Sequence, residues 1–200
     1  IGVVTDEIIY VATSNGVARW NATGDNWETA WTALDGLPIS FVQDIIEFDG
    51  DIWMATPNGI SQYDPVAMSV TNYGKTAGLM GTSTWGLFGT TTTSTDSSGT
   101  TTTQNSLFVS HDGKGTDRPG ITQFDTGSLV VTDLHQFDQL PSNTATAVTS
   151  DLWGVHIATD VGPLVHWIRS SGDFTSGSNV FTMQDWPVYS LSLIHISEPT

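Results

Sequence analysis

Few residues in this chain are equipped for chemistry. The densest group is His111-Asp112-Gly113-Lys114-Gly115-Thr116-Asp117, a turn-rich run in which Asp112 and Asp117 offer carboxylate oxygens. Hard oxygen donors of that kind suit Ca²⁺, although the run lacks the ordered Asp-x-Asp-x-Asp-Gly ladder of an EF-hand loop. No cofactor is expected; Asp112 and Asp117 are the candidate cation ligands should Ca²⁺ bind. The five histidines are scattered without i,i+4 pairs, and His156 and His166 fall in predicted strands, where a structural role is the default. No cysteine is present, which removes thiol catalysis, thiolate metal sites and disulfides. A Gly-x-Ser-x-Gly nucleophile elbow is also missing. With only Arg19, Lys75, Lys114, Arg118 and Arg169 as fixed cations, candidates for an oxyanion or phosphate clamp are few. No catalytic residue is assigned.

Charge narrows the partners. Five basic residues against 21 acidic ones give a formal charge of −16. Nucleic acid needs clustered Lys and Arg to meet its phosphates, and anionic lipid needs the same, so neither is an expected partner. No run of 18 apolar residues occurs, hence no membrane-inserted helix is expected from this segment. Ile1 is not followed by a basic and then an apolar leader region, so any secretory signal would lie upstream.

The elements that must position these residues announce themselves by repetition. Tyr10-Val11-Ala12-Thr13-Ser14-Asn15-Gly16-Val17-Ala18-Arg19-Trp20-Asn21 is matched by Trp53-Met54-Ala55-Thr56-Pro57-Asn58-Gly59-Ile60-Ser61-Gln62-Tyr63-Asp64. Looser copies run from Phe108 to Asp125 and from Val155 to Trp167. Each copy reads as an apolar strand, a glycine turn and a second strand ending in an aromatic residue. Gly16 and Gly59 are 43 residues apart and Gly120 and Gly162 are 42 apart, while the interval between Gly59 and Gly120 is 61. A second marker, Asp35-Gly36-Leu37, returns as Ala77-Gly78-Leu79 and, more loosely, as Asp138-Gln139-Leu140. A period in the low forties with several short strands per unit matches a four-stranded propeller blade. The fold class expected is all-β, with about four four-stranded blades forming a partial, open β-propeller.

Strands of the first unit are expected near 8–13, 17–21, 29–34 and 41–48. Trp20, Trp31, Trp53, Tyr63, Phe124 and Trp167 are expected to fill the wedge-shaped gaps between blades. Blade repeats fall near 8–50, 51–104, 105–150 and 151–190, within a partial propeller spanning 1–190. Gly89 to Gln104 is a Thr/Ser-rich insert with no alternate apolar face. Its composition fits a protruding β-ribbon turning at Asp96-Ser97-Ser98-Gly99, and equally fits disorder. Leu191 to Thr200 resembles the translation of a transposase-type sequencing adapter, and is expected to be an artefact outside the fold.

The pattern of the run from Trp53 to Asp64, followed after the first copy by Gly36-Leu37-Pro38, resembles the two-component regulator propeller repeat. Tyr10 to Asn21 is nearly as good a copy. The third copy keeps Gly120-Ile121 and Phe124-Asp125 but loses the Ala-Thr-x-Asn turn, and the fourth lacks the terminal Asp or Asn. The resemblance implies blades used as sensor ectodomains, scaffolds and, occasionally, enzyme platforms. Propellers bind at the mouth of the central channel, at the first residues of each inner strand. The Leu-Pro register places Gln43, Trp85 and Thr146 at equivalent positions there, and these are the candidate ligand-binding residues.

The function expected is that of a non-catalytic recognition or scaffold module in a larger secreted, periplasmic or cell-surface propeller protein, such as the sensor region of a signalling receptor. Its partners would be a protein or carbohydrate ligand and further propeller blades. The alternative is part of a lyase or hydrolase propeller whose catalytic residues lie in other blades.

Overall fold

Four antiparallel sheets of four strands each make up the computed structural model, which describes residues 2–5, 7–112, 120–135, 145–150, 154–159, 165–168 and 173–176. The first sheet holds β1 (Gly2–Val4), β2 (Ile8–Thr13), β3 (Gly16–Asn21) and β4 (Asn26–Trp31). The second holds β5 (Asp44–Phe48), β6 (Asp51–Thr56), β7 (Gly59–Asp64) and β8 (Ser69–Tyr73). In the third are β9 (Thr84–Thr95), β10 (Thr101–His111), β11 (Gly120–Asp125) and β12 (Val130–His135). The fourth is β13 (Ala145–Ser150), β14 (Gly154–Thr159), β15 (Val165–Ile168) and β16 (Asp173–Ser176). Every strand pairs with its sequence neighbour, the up-and-down order of a propeller blade. β5 packs on β1 and β2, β9 on β5 and β6, and β13 on β9 and β10, so the sheets form an open arc in chain order. Among the described residues there is no α-helix.

The motif's residue types explain its hairpins. Thr13 Oγ1 donates to Gly16 O at 2.7 Å, and the Asn15 N–H donates back to that hydroxyl at 3.1 Å. Thr56, Gly59 and Asn58 repeat the arrangement at 2.8 and 3.1 Å. Gly59 sits at φ 102°, and a Cβ there would collide with the carbonyl oxygen of Tyr73 at the end of β8. Left-handed backbone and close approach of the outer strand both demand glycine. The second marker is a linker device: one-turn 3-10 helices at Ala33–Asp35 and Lys75–Ala77 end in Gly36 and Gly78, at φ 103° and 95°. Thr32 and Asp35 close the first turn reciprocally as a capping box. The leucine that follows each of these glycines, Leu37 and Leu79, is buried between blades.

Two expectations need correction. Phe41–Phe48 is not the fourth strand of the first unit. β5 pairs with β6, Asp44 opposite Ala55, and is the inner strand of the second sheet. The sequence repeat marks hairpin glycines, so sheets and repeats run one strand out of phase. The outer strand of the first sheet also lies earlier than expected, at Asn26–Trp31.

Trp20 is the second correction. Trp31, Trp53, Tyr63 and Phe124 do fill the gaps between sheets. Trp31 lies 4.2 Å from Tyr63 between ring centroids, and Trp53 lies 5.7 Å from Phe124. Tyr63 and Phe124, at equivalent positions, each face the preceding sheet. Trp20 has no preceding sheet among the described residues. It stacks edge-on with Trp27 at 5.2 Å on the free face of the first sheet, where Trp27 is 64% exposed. The Trp167 side chain lies outside the described residues, as do 191–200.

The Thr/Ser-rich insert is a paired ribbon. β9 and β10 continue their ladder from Ser106↔Thr90 out to Thr101↔Thr95, and the chain turns through Asp96, Ser97, Ser98 and Gly99. Asp96 Oδ1 accepts from the N–H groups of Ser98 and Thr100, both at 2.9 Å, which builds the turn from a single carboxylate.

Candidate functional site

The inner strands β5, β9 and β13 begin on the rim that also carries the glycine hairpins. Backbone bonds hold them there: Val42 N–H donates to Thr13 O at 3.0 Å, and Gln43 N–H to Ala55 O at 2.8 Å. The three sequence-derived positions sit at these strand starts. Gln43 immediately precedes β5, Trp85 is the second residue of β9, and Thr146 is the second residue of β13. Thr146 is buried at a register shift between Ala145 and Ala147, a bulge that turns the strand at the rim.

Two close approaches gather these positions on neighbouring strands. Gly86, next to Trp85, brings β9 against β13, since a Cβ on it would lie 3.4 Å from Ala147 Cα and 3.6 Å from Thr146 O. Its N–H donates to Ser110 Oγ at 2.8 Å. On the other side, Asp44, next to Gln43, reaches across to β9, where its Oδ2 accepts the Leu87 N–H at 2.8 Å. The Gln43 Oε1 atom is buried and has no hydrogen-bond partner among the described residues.

Asp44 is the residue that sequence reasoning missed. Desolvation by burial pushes its carboxyl up to about 6, against the lowering effect of the Leu87 and Ile45 N–H groups it accepts. A faint signal existed in the strand Asp-Ile-Ile-Glu-Phe. Its carboxylate has Gly86 and Ala147 as counterparts in the next two sheets.

At the cation candidate, Asp112 is buried and its N–H donates to Ser83 O at 2.9 Å. Asp117 lies outside the described residues. His111, fully buried, takes the place that the turn threonines Thr13 and Thr56 hold in the first two sheets, opposite Gly120. Its Nε2 is 2.8 Å from Thr122 Oγ1. Among the described residues no three His, Cys, Asp or Glu side chains converge as a metal site.

Elsewhere, Arg19 pairs with Glu28 at 2.6 Å and lies 4.6 Å from the centre of the Trp31 ring. This cation braces the first seam from within the blade.

The sheet order, the open arc and the strand starts on one rim define β-propeller blades. Solved structures agree on that fold. The chain resembles the extracellular domain of BT3049, assigned to a hybrid two-component system of B. thetaiotaomicron, at TM-score 0.61 and 19% identity over 84% of this chain and 22% of that one. The extracellular domain of BT4673 from the same organism, assigned to a one-component system, aligns at TM-score 0.62 and 18% identity, covering 87% of this chain and 21% of that one. PorZ, a surface component of the type-IX secretion system of Porphyromonas gingivalis, aligns at TM-score 0.51 and 17% identity over 86% and 24% of the two chains. The chain thus spans about a fifth to a quarter of the length of these propeller proteins. No family model matches it, and no curated protein matches it by sequence. Among the described residues no helix is long and apolar enough to cross a membrane.

Proposed function

We propose that this chain is a non-catalytic recognition segment of a larger extracellular, periplasmic or cell-surface propeller protein, of the two-component regulator propeller type, with a sensor role. The observation that carries this reading is the split between conserved packing chemistry and divergent rim chemistry within one repeat. Facing positions in the seams keep an aromatic ring, Tyr63 and Phe124, and Trp20 and Trp167 stand at the equivalent positions of the repeat. Rim positions differ completely (Gln43, Trp85 and Thr146), and Gln43 holds a buried acceptor without a partner among the described residues. A polar amide, an indole and a hydroxyl on neighbouring strands suit a protein or carbohydrate ligand, recognised by hydrogen bonds and by stacking. The free face bearing Trp20 and Trp27 suits a further blade as its neighbour. The fold likeness to extracellular domains supports the setting.

The test uses the full-length protein and a panel of oligosaccharides and peptides in titration calorimetry. Gln43→Ala, Trp85→Ala and Thr146→Ala should each weaken the ligand that binds by tenfold or more while the chain stays folded, as read by an unchanged circular dichroism spectrum. Turnover that disappears on replacing a carboxylate or histidine within 1–190, with the fold intact, would refute the reading.

A further inference from the structure

Chemistry and charge set the ribbon apart from the rest of the molecule. Between Lys75 and Asp112 the only charged side chain is Asp96, at the ribbon tip, in a chain of net charge −16. The base is anchored. Asp49 accepts from Asn105 Nδ2 at 2.7 Å and from Thr126 Oγ1 at 2.6 Å, and the Phe48 ring lies over Gly89. Beyond that base only two strands remain, and an isolated two-stranded ribbon is marginal in water.

The hydrogen-bond phase of the ribbon can be read from its end. The Asp96 N–H donates to Thr100 O at 3.0 Å, so 96 and 100 form a bonded pair, and bonded pairs alternate from there. Thr91, Thr93 and Thr95 on β9 therefore turn their N–H and C=O groups outward, as do Thr101, Thr103 and Asn105 on β10. The Asn105 carbonyl agrees with this phase, since it accepts from Thr126 N–H at 3.1 Å, outside the β9–β10 ladder. β10 is partly covered in that way, whereas β9 is the edge of its sheet along its whole length. From Thr90 to Thr95 it carries no Lys, no Pro and no bulge, the devices that normally blunt an open edge. Threonine is a good strand former, so the edge favours the extended conformation that pairing needs.

We propose that the β9 edge of the ribbon pairs antiparallel with the same edge of a second copy of this chain, about a twofold axis at Thr93. That centre sets Thr93 opposite Thr93 and Thr91 opposite Thr95, which uses every outward group of the edge. The outward groups at 91, 93 and 95 are symmetric about Thr93, which fits a second copy of the same edge, and charge confines that contact to the ribbon. Two bodies of −16 repel wherever their acidic surfaces meet, but the ribbon is neutral along its paired length. The six residues from Thr90 to Thr95 hold the bodies about 20 Å apart, roughly two screening lengths at physiological salt. The resulting four-stranded sheet is also large enough to be stable. This association is separate from ligand binding at the rim and stands or falls independently of it.

The absence of cysteine makes the test clean. Thr93→Cys in the full chain should cross-link to a covalent dimer under mild oxidation, because directly bonded antiparallel pairs have Cα atoms about 5.5 Å apart, within disulfide range. Ser98→Cys, at the tip, should stay monomeric under the same conditions. In sedimentation velocity the cysteine-free chain should dimerise, and Thr93→Pro and Thr93→Glu should each weaken that dimer at least tenfold. The Pro variant removes the outward N–H, and the Glu variant keeps the backbone but places like charges face to face. A monomer at all concentrations, equal cross-linking at positions 93 and 98, or a dimer indifferent to both substitutions would overturn the proposal. The last result would place association on a blade face instead.

Discussion

β9 and β10 stay paired with each other through two environments. From Thr84 to Phe88 and from Leu107 to His111 they form part of the core, with Leu107 and Val109 fully buried against Trp53 and Phe124. From Thr90 to Thr95 and from Thr101 to Thr103 the same ladder stands in solvent. The β9–β10 ladder runs through both halves, but in the blade half β10 also pairs with β11 and the side chains are buried, whereas in the ribbon half neither holds. Hydrogen bonds exchange with water at little net gain, whereas a ring removed from water on both faces contributes several kcal/mol. The blade half should therefore carry the stability and the ribbon half almost none.

The largest test of that contrast is Trp53→Ala. Trp53 is fully buried where the second and third sheets meet, and donates its indole N–H to Phe48 O at 3.2 Å. Its loss should cost roughly 3–5 kcal/mol in urea denaturation, enough to unfold much of a domain of ordinary stability. Gly59→Ala comes next, at roughly 2–3 kcal/mol, because left-handed strain adds to the collision with the Tyr73 carbonyl. Gly50→Ala is the control: its φ is 85° but no atom lies within 4 Å of the added Cβ, so it should cost only about 1 kcal/mol.

Asp44 gives a pH test of the seam between the second and third sheets. Its folded pKa of about 6 lies above the ordinary 3.8, so the folded state favours the protonated form. The stabilisation from that proton is complete below pH 4, falls as pH rises, and is gone above about pH 6. Asp44→Asn should flatten the slope between pH 4 and 6 and leave the variant on the order of 1–2 kcal/mol more stable than the parent at pH 7.5. Stability that rises with pH over that window, and does so only with Asp44 present, would contradict the burial argument. The smallest effect belongs to the ribbon. Replacing residues 93–103 by Asn-Gly, which closes the turn on the opposed pair Thr92 and Gln104, should shift monomer stability by no more than about 0.5 kcal/mol.

The hairpins were legible because Thr-x-Asn-Gly is local chemistry: a hydroxyl, an amide and a backbone that only glycine adopts, all within four residues. Threonine's strand preference and the Asp-Ser-Ser-Gly turn likewise allowed the ribbon to be foreseen, although composition alone left disorder open. Sheet limits were not legible, since the repeat records where the chain turns and says nothing about which neighbour an inner strand joins. Asp44 was hidden for a related reason. The group that gives it an unusual environment, the Leu87 N–H, lies 43 residues away on the next blade. Trp20 had the right residue type at the right repeat position, yet its partner sheet is not among the four.

The direction in which the aromatics face imposes an order on synthesis. Trp31 is covered by Tyr63, and Trp53 by Phe124, so each sheet leaves the ribosome with one seam uncovered until its successor arrives. One repeat of 43 residues takes about 2–9 s at ordinary elongation rates of 5–20 residues per second. Apart from the free face that bears Trp20 and Trp27, greasy surface on the nascent chain is thus limited to a single blade width at any moment. A chaperone need guard that face and the moving front.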